Sequence, residues 1–237
     1  MAERGGGPYR DHMDTLTLAE ELLLLAHEES TGRRIADGTS LEVGVAGSLL
    51  AELALAERVD LDGKQVTVRN PAPIGDAYLD EALARMATEA KPRKPEWWIQ
   101  RIGKDGKKDG RPLSRRLLDR LTERGLLHAT SKKVLGLFPT TRYPELDPRA
   151  EQEVRARLYD ALNGATPTPR TASLVALMDA CGLARKVFPE LDRKALKRRT
   201  KEIAESEWAG AATRKVIQSI HAATSAAATT AATAGSS

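Results

Sequence analysis

A single cysteine, Cys181, stands in the whole chain, so no internal disulfide can form and a reducing compartment suits it. It sits in the apolar stretch LMDACGLA, where a small core residue is expected. Aromatic residues make up only 4% of the sequence. The core must therefore be built from Leu, Ala and Val, which favours helices. No run of eighteen or more apolar residues occurs, and MAERGGGPYRDHMD at the N-terminus has no apolar stretch of a secretory signal. A cytoplasmic protein that meets a membrane only from the side is expected. His12, His27, His128 and His221 are far apart, and no Cys/His cluster has metal-ligand spacing, so neither a metal site nor another cofactor is expected. A nucleophile elbow, a phosphate-cradling GxxxxGK and a dinucleotide fingerprint are all missing. Acidic pairs such as Glu20-Glu21, Glu28-Glu29 and Asp80-Glu81 lie on expected helices, with one member of each facing water. The chain does not read as an enzyme.

What is present is a helical pattern with an uneven distribution of charge. The net charge is +4 and the pI near 9.2, a mild excess for a nucleic-acid binder. Most of it gathers between Lys91 and Arg116, where ten Lys or Arg are opposed only by Glu96, Asp105 and Asp109. The loop GKDGKKDGR within this run, containing Lys108 and Arg111, has no apolar anchor and is open to a solvated or an anion-binding reading.

The chain is organised around LEVGVAGSLLAELALAERVDL, Leu41 to Leu61, a helix with little surface to leave in water. Gly44 and Gly47 predict close helix packing, and Glu52 needs an Arg or a helix terminus as partner. Before it, Thr17-Leu18-Ala19-Glu20 forms a capping box for a helix through ELLLLAHEES that stops at Thr31-Gly32. A loop with Arg33, Arg34 and Asp37 follows, its two adjacent arginines read as facing water, and Thr39 or Ser40 caps the central helix.

Downstream, alternation around Asp62-Gly63 predicts a hairpin, and Asp76 opens a helix through AYLDEALARMATEA. PEWWIQRI is a short helix with Trp98 and Ile102 inward. Pro112 starts the helix LSRRLLDRLTER, which Gly125 ends. A second hairpin, LLHATSKKVLGLFP, places Ser131, Lys132 and Lys133 near its turn. Four helices complete the chain: PRAEQEVRARLYDALNG, TPRTASLVALMDACGL, RKALKRRTKEIAES and EWAGAATRKVIQSIHAA. The expected architecture is mostly α: one globular domain, 15–223, with a central bundle, surrounding amphipathic helices and small β-hairpins. A flexible N-terminus, 1–14, precedes it and a disordered Ala/Thr-rich tail, 224–237, follows.

LTLAEELLLLA, GVAGSLLAELALAERVDL, APIGDAYLDEAL, WWIQRI, LLDRLTERGLL and VLGLFPTTRYP, in this order from Leu16 to Pro144, resemble the Golgi phosphoprotein 3 family. The richness in Ala, Arg and Gly points to a bacterial member. The resemblance implies a helical domain that binds membranes peripherally through phosphatidylinositol 4-phosphate and serves as an adaptor for a protein client. Its hairpin is linked to self-association into a homo-oligomer, and Leu135 and Leu137 here read as core or oligomer contacts or, if the hairpin is exposed, as apolar residues that insert into the membrane. In the eukaryotic relatives the headgroup pocket uses a Trp, an Arg in the central helix, and two Arg spaced i, i+3. Those positions fall here on Asp37, Ala46, Arg111 and Ser114, of which only Arg111 matches. The expected headgroup-binding residues are therefore Arg111, Arg115, Lys108 and Arg33, acting on an anionic phospholipid surface. The arginine cluster that engages the coatomer coat has no counterpart in MAERGGGPYRDHMD. The rival reading is a winged-helix DNA-binding regulator, with the helix at 112–124 in a major groove and Lys132-Lys133 on the wing.

Overall fold

The computed structural model describes residues 16–105, 110–134, 138–205, 214–222 and 224. Helix α1, Leu18–Leu25, begins at the expected capping box: the Glu20 amide donates to Thr17 Oγ1 and the Thr17 amide to Glu20 Oε2 at 2.8 Å. All eight of its residues are buried. The helix is shorter than its sequence suggests and ends at Leu25 rather than at Thr31-Gly32. The chain doubles back so that His27 bridges Arg34, and Gly32, at φ 62°, lies against the Tyr143–Pro144 backbone. A β-carbon on Gly32 would come 2.1 Å from Pro144 N, so this long-range contact fixes the turn and overrides local helix propensity.

Helix α2, Gly38–Leu55, is the central element. Its cap is Asp37, whose carboxylate accepts from the Ser40 amide at 2.9 Å, and not Thr39 or Ser40. It packs against α1, α3 (Ala77–Thr88), α4 (Pro95–Asp105), α5 (Leu113–Glu123) and α7 (Pro169–Ala180). The two glycines serve this packing: a β-carbon on Gly44 would lie 2.3 Å from Cys181 Sγ, and one on Gly47 2.4 Å from Ile220 Cγ1. With 18 residues and a mean hydropathy of 1.2, α2 is long and apolar enough to cross a membrane. Its apolar face is claimed by the neighbouring helices, with 67% of the helix buried in the fold.

Strands β1, Val59–Asp62, and β2, Gln65–Val68, pair antiparallel from Val59↔Val68 to Asp62↔Gln65. The turn residues are thus Gly63 and Lys64, one position beyond the expected Asp62-Gly63. The second hairpin joins β3, Thr130–Val134, to β4, Phe138–Arg142. Ser131, Lys132 and Lys133 lie on β3 in the residues that lead into the turn, as expected, the ladder closing at Val134↔Phe138. Leu135 and Leu137 fall outside the described residues.

Helix α6, Arg149–Leu162, precedes α7, whose residues Thr171 to Met178 are all buried. A short α8, Ala184–Val187, absent from the sequence reading, leads to α9, Arg193–Glu205. Residues 214–222 are helical. Thr224, assigned by sequence to the tail, is still helical and buried, its hydroxyl donating to Ile220 O. The architecture is mostly α with two small antiparallel hairpins around one continuous core.

Candidate functional site

The α1–α2 loop, the start of α5 and the end of β4 enclose a cavity of about 600 Å³. Four arginines line it: Arg33 and Arg34 from the loop, Arg115 from α5, and Arg142 from β4. Each is placed by a different local device. Arg33 lies 3.5 Å from Glu28 Oε2. Arg34 is anchored by the bridge to His27, and its guanidinium rests over Gly38, where a β-carbon would be 3.0 Å away. Arg115 donates to Asp119 Oδ1 at 3.2 Å and stacks 4.9 Å from the Tyr143 ring centre. Arg142 sits at the end of the β4 ladder opposite Thr130.

Among the described residues, Arg34 and Arg142 have no ion-pair partner. Their charge is offset only in part, by Glu28 near Arg142 and Asp37 near Arg34. Glu28 at its edge is held below the usual carboxylate range, first by the Thr31 hydroxyl and then by Arg33 and Arg142. Leu41, Leu118 and the half of Tyr143 below its hydroxyl give the cavity an apolar floor. The Tyr143 hydroxyl donates to Asp119 Oδ1, and burial, with Asp119 adding, pushes its pKa up, so it stays a neutral phenol. One carboxylate also lines the cavity: Glu42 of α2, which accepts from the Ser114 hydroxyl and faces the Ser114 amide at 3.5 Å.

The structure brings the expected Arg33 and Arg115 together. Arg111 is outside the lining but shares Asp119 with Arg115, its Nη1 donating at 2.8 Å. Lys108 lies outside the described residues. The other three aligned positions are occupied differently: Asp37 caps α2, Ser114 is bound by Glu42, and Ala46 is buried against α4, 3.7 Å from where Gly103 would carry a β-carbon. Sequence reasoning missed Arg34, Arg142 and Glu42. Arg34 was visible as half of an arginine pair, whereas only folding places Arg142 and Glu42 beside it.

The described cations of the run from Lys91 to Arg116 make separate local contacts. Arg93 pairs with Glu89 and stacks on Trp97, while Arg116 lies over Tyr78 at 4.9 Å. Among the described residues of this run Arg115 lines the cavity, where it is joined by cations from the loop and β4.

A second cavity, of about 560 Å³, is charged and largely paired internally, although Arg120 Nη2 is buried without a hydrogen-bond partner. Glu20 binds Arg120 and Arg124, each at 3.0 Å, and Arg120 also binds Asp76 at 2.6 Å. Glu52 has both partners expected of it: Arg170 donates to one oxygen, and the Leu18 amide at the start of α1 donates to the other. Burial raises the Glu52 pKa, against the pull of these two donors. No group of His, Cys, Asp and Glu among the described residues is arranged to hold a metal. The residues of α5 from Leu113 to Thr122 are buried or half-buried, and Glu123 at its end is exposed.

Residues 18–220 match the family model described as Golgi phosphoprotein 3 (GPP34). That span is most of the 237-residue chain, and the chain belongs to this family.

Proposed function

We propose that this member of the Golgi phosphoprotein 3 family is a peripheral membrane-associated, adaptor-like protein without catalytic activity. It binds an anionic phospholipid headgroup in the cavity of Arg33, Arg34, Arg115 and Arg142. The observation that carries the reading is the convergence of four guanidiniums from three elements on one concavity, two of them in no salt bridge among the described residues. Phosphate oxygens are held well by several converging charge-assisted donors. The cavity is within the usual range of ligand sites, about 300–1,000 Å³. Basic residues around its mouth add roughly 1 kcal/mol each near an anionic leaflet. A cytoplasmic location with reversible membrane contact follows from this reading.

Only Arg111 matches the headgroup positions implied by the family, so the proposal is for an anionic headgroup as a class and not for phosphatidylinositol 4-phosphate. A protein client and self-association belong to the same adaptor reading. The test is co-sedimentation with phosphatidylcholine vesicles with and without phosphatidylglycerol, at low and near-physiological salt. Retention on the acidic vesicles, weakened by salt and abolished by Arg34→Glu with Arg142→Glu, is expected. Absence of retention at low salt overturns it, and a salt-dependent shift of duplex DNA would favour the winged-helix reading instead.

A further inference from the structure

We propose that Glu42 makes the arginine cavity select a singly charged phosphodiester headgroup bearing hydroxyl donors, as in phosphatidylglycerol or phosphatidylinositol, over a doubly charged phosphomonoester. The inference rests on the headgroup reading above and adds the selecting residue. Glu42 is the carboxylate in a lining that otherwise carries arginine charge. Its hydrogen bonds go to Ser114, the hydroxyl on one oxygen and the more distant amide at 3.5 Å on the other, and it has no cationic partner among the described residues.

Two consequences follow from this placement. The amide of Ser114 belongs to the first turn of α5, where unpaired N–H groups would otherwise attract a ligand phosphate. Glu42 holds that position with a fixed negative charge, so a phosphate must sit toward Arg34 and Arg142. The neighbouring charges also limit what the cavity can attract: Glu28 holds Arg33, and Asp119 is shared by Arg115 and Arg111. Glu42 adds a negative charge inside the lining itself, which weighs more heavily against a doubly charged phosphate than against a singly charged one.

The carboxylate is also an acceptor with capacity to spare. It offers about four lone-pair positions, of which Ser114 takes two. The others can accept from a glycerol or inositol hydroxyl on a bound headgroup. A second phosphate charge in the same place would be repelled.

The experiment compares phosphatidylcholine vesicles containing phosphatidylglycerol, phosphatidylinositol, phosphatidic acid or phosphatidylinositol 4-phosphate at equal surface charge. The proteins are wild type, Glu42→Gln, Glu42→Ala, and Arg34→Glu with Arg142→Glu. Gln keeps an acceptor for Ser114 and so preserves the start of α5. Wild type is expected to prefer the two phosphodiesters. Both Glu42 variants are expected to gain on the order of tenfold in phosphomonoester binding, since a nearby like charge is removed. Deacylated phosphatidylglycerol should compete for the site and inorganic phosphate should not, which separates a headgroup from a free-phosphate site. If the arginine variant loses all vesicles while Glu42→Gln leaves the lipid ratio unchanged, or if inorganic phosphate competes equally, the selectivity inference falls and anion binding in the cavity stands. If the arginine variant binds like wild type, both fall.

Discussion

Replacing Arg170 by Met tests whether the charged network under α1 holds the bundle together. Arg170 donates to Glu52, to the Leu16 carbonyl at 2.5 Å and to Glu21 at 3.3 Å, and it stands in the first turn of α7. Met fills similar volume but leaves Glu52, 15% exposed, with only the Leu18 amide. Glu21 keeps Arg157 at 2.6 Å. Removing one partner of a buried ion pair costs about 3–5 kcal/mol. Because the Arg170 side chain is 32% exposed, the lower end applies, about 3 kcal/mol. At roughly 2–4 °C per kcal/mol for a chain of this size, Tm should fall by about 6–12 °C. Thermal and urea unfolding of R170M, E52Q and the double variant close the cycle. E52Q in the R170M background should recover a substantial part of the loss, because Gln removes the uncompensated charge and still accepts from Leu18. If R170M unfolds within about 1 kcal/mol of wild type, or if the double variant is weaker than R170M, the network is not a stabilising contact in this fold.

Gly44→Ala should destabilise by about 1–2 kcal/mol despite its better helix propensity, since its methyl would lie 2.3 Å from Cys181 Sγ, and adding Cys181→Ala should restore most of that in urea melts. Cys181, buried and with its thiol pushed up to about 12, should resist alkylation in the native protein and react promptly in denaturant, as followed by mass spectrometry. Burial, the hydrogen bond to Glu151 and the neighbouring Glu151 and Glu29 push Glu145 up to about 9 from an ordinary 4.5. Folding therefore retains a proton that the unfolded chain has lost, and stability from this group declines as pH rises through that window. Glu145→Gln should melt like wild type near pH 4.5 and progressively above it toward pH 9. Ala46→Arg should lower Tm without strengthening retention on phosphatidylinositol 4-phosphate vesicles, because the position is 1% exposed and faces α4.

Where structure follows from neighbours in sequence, the sequence was readable. Thr17 and Glu20 cap α1 through a three-residue spacing, Asp76 caps α3 the same way, and Trp98 with Ile102 turns inward on one helical face. Glu52 announced a partner by being polar in an apolar helix, and it found Arg170 from the far end of the chain. The errors arose where a distant element decided a local feature. The Tyr143–Pro144 backbone set the end of α1 through Gly32. The candidate site failed in the same way. Arginines at 33, 34, 115 and 142 are too far apart along the chain to suggest a cluster, and the dense run from Lys91 to Arg116 drew attention that the fold disperses.

The displacement of positive charge within the cavity has a packing origin. At Ala46 the central helix offers only a methyl group, and α4 closes onto it at Gly103. Trp98, Ile99 and Ile102 of the same helix are buried in the core, so the α2–α4 seam has no room for a guanidinium or the water it would need. Cations must then come from elements that border the cavity without crossing that seam. The α1–α2 loop and β4 do so, and they are tied to each other where Gly32 accepts from the Tyr143 amide at 3.1 Å. That backbone link sets Arg33 and Arg34 opposite Arg142 irrespective of their separation in sequence. The turn that shortened α1 is thus the feature that assembles the arginines, and a change at Gly32 would disturb the fold and the cavity together.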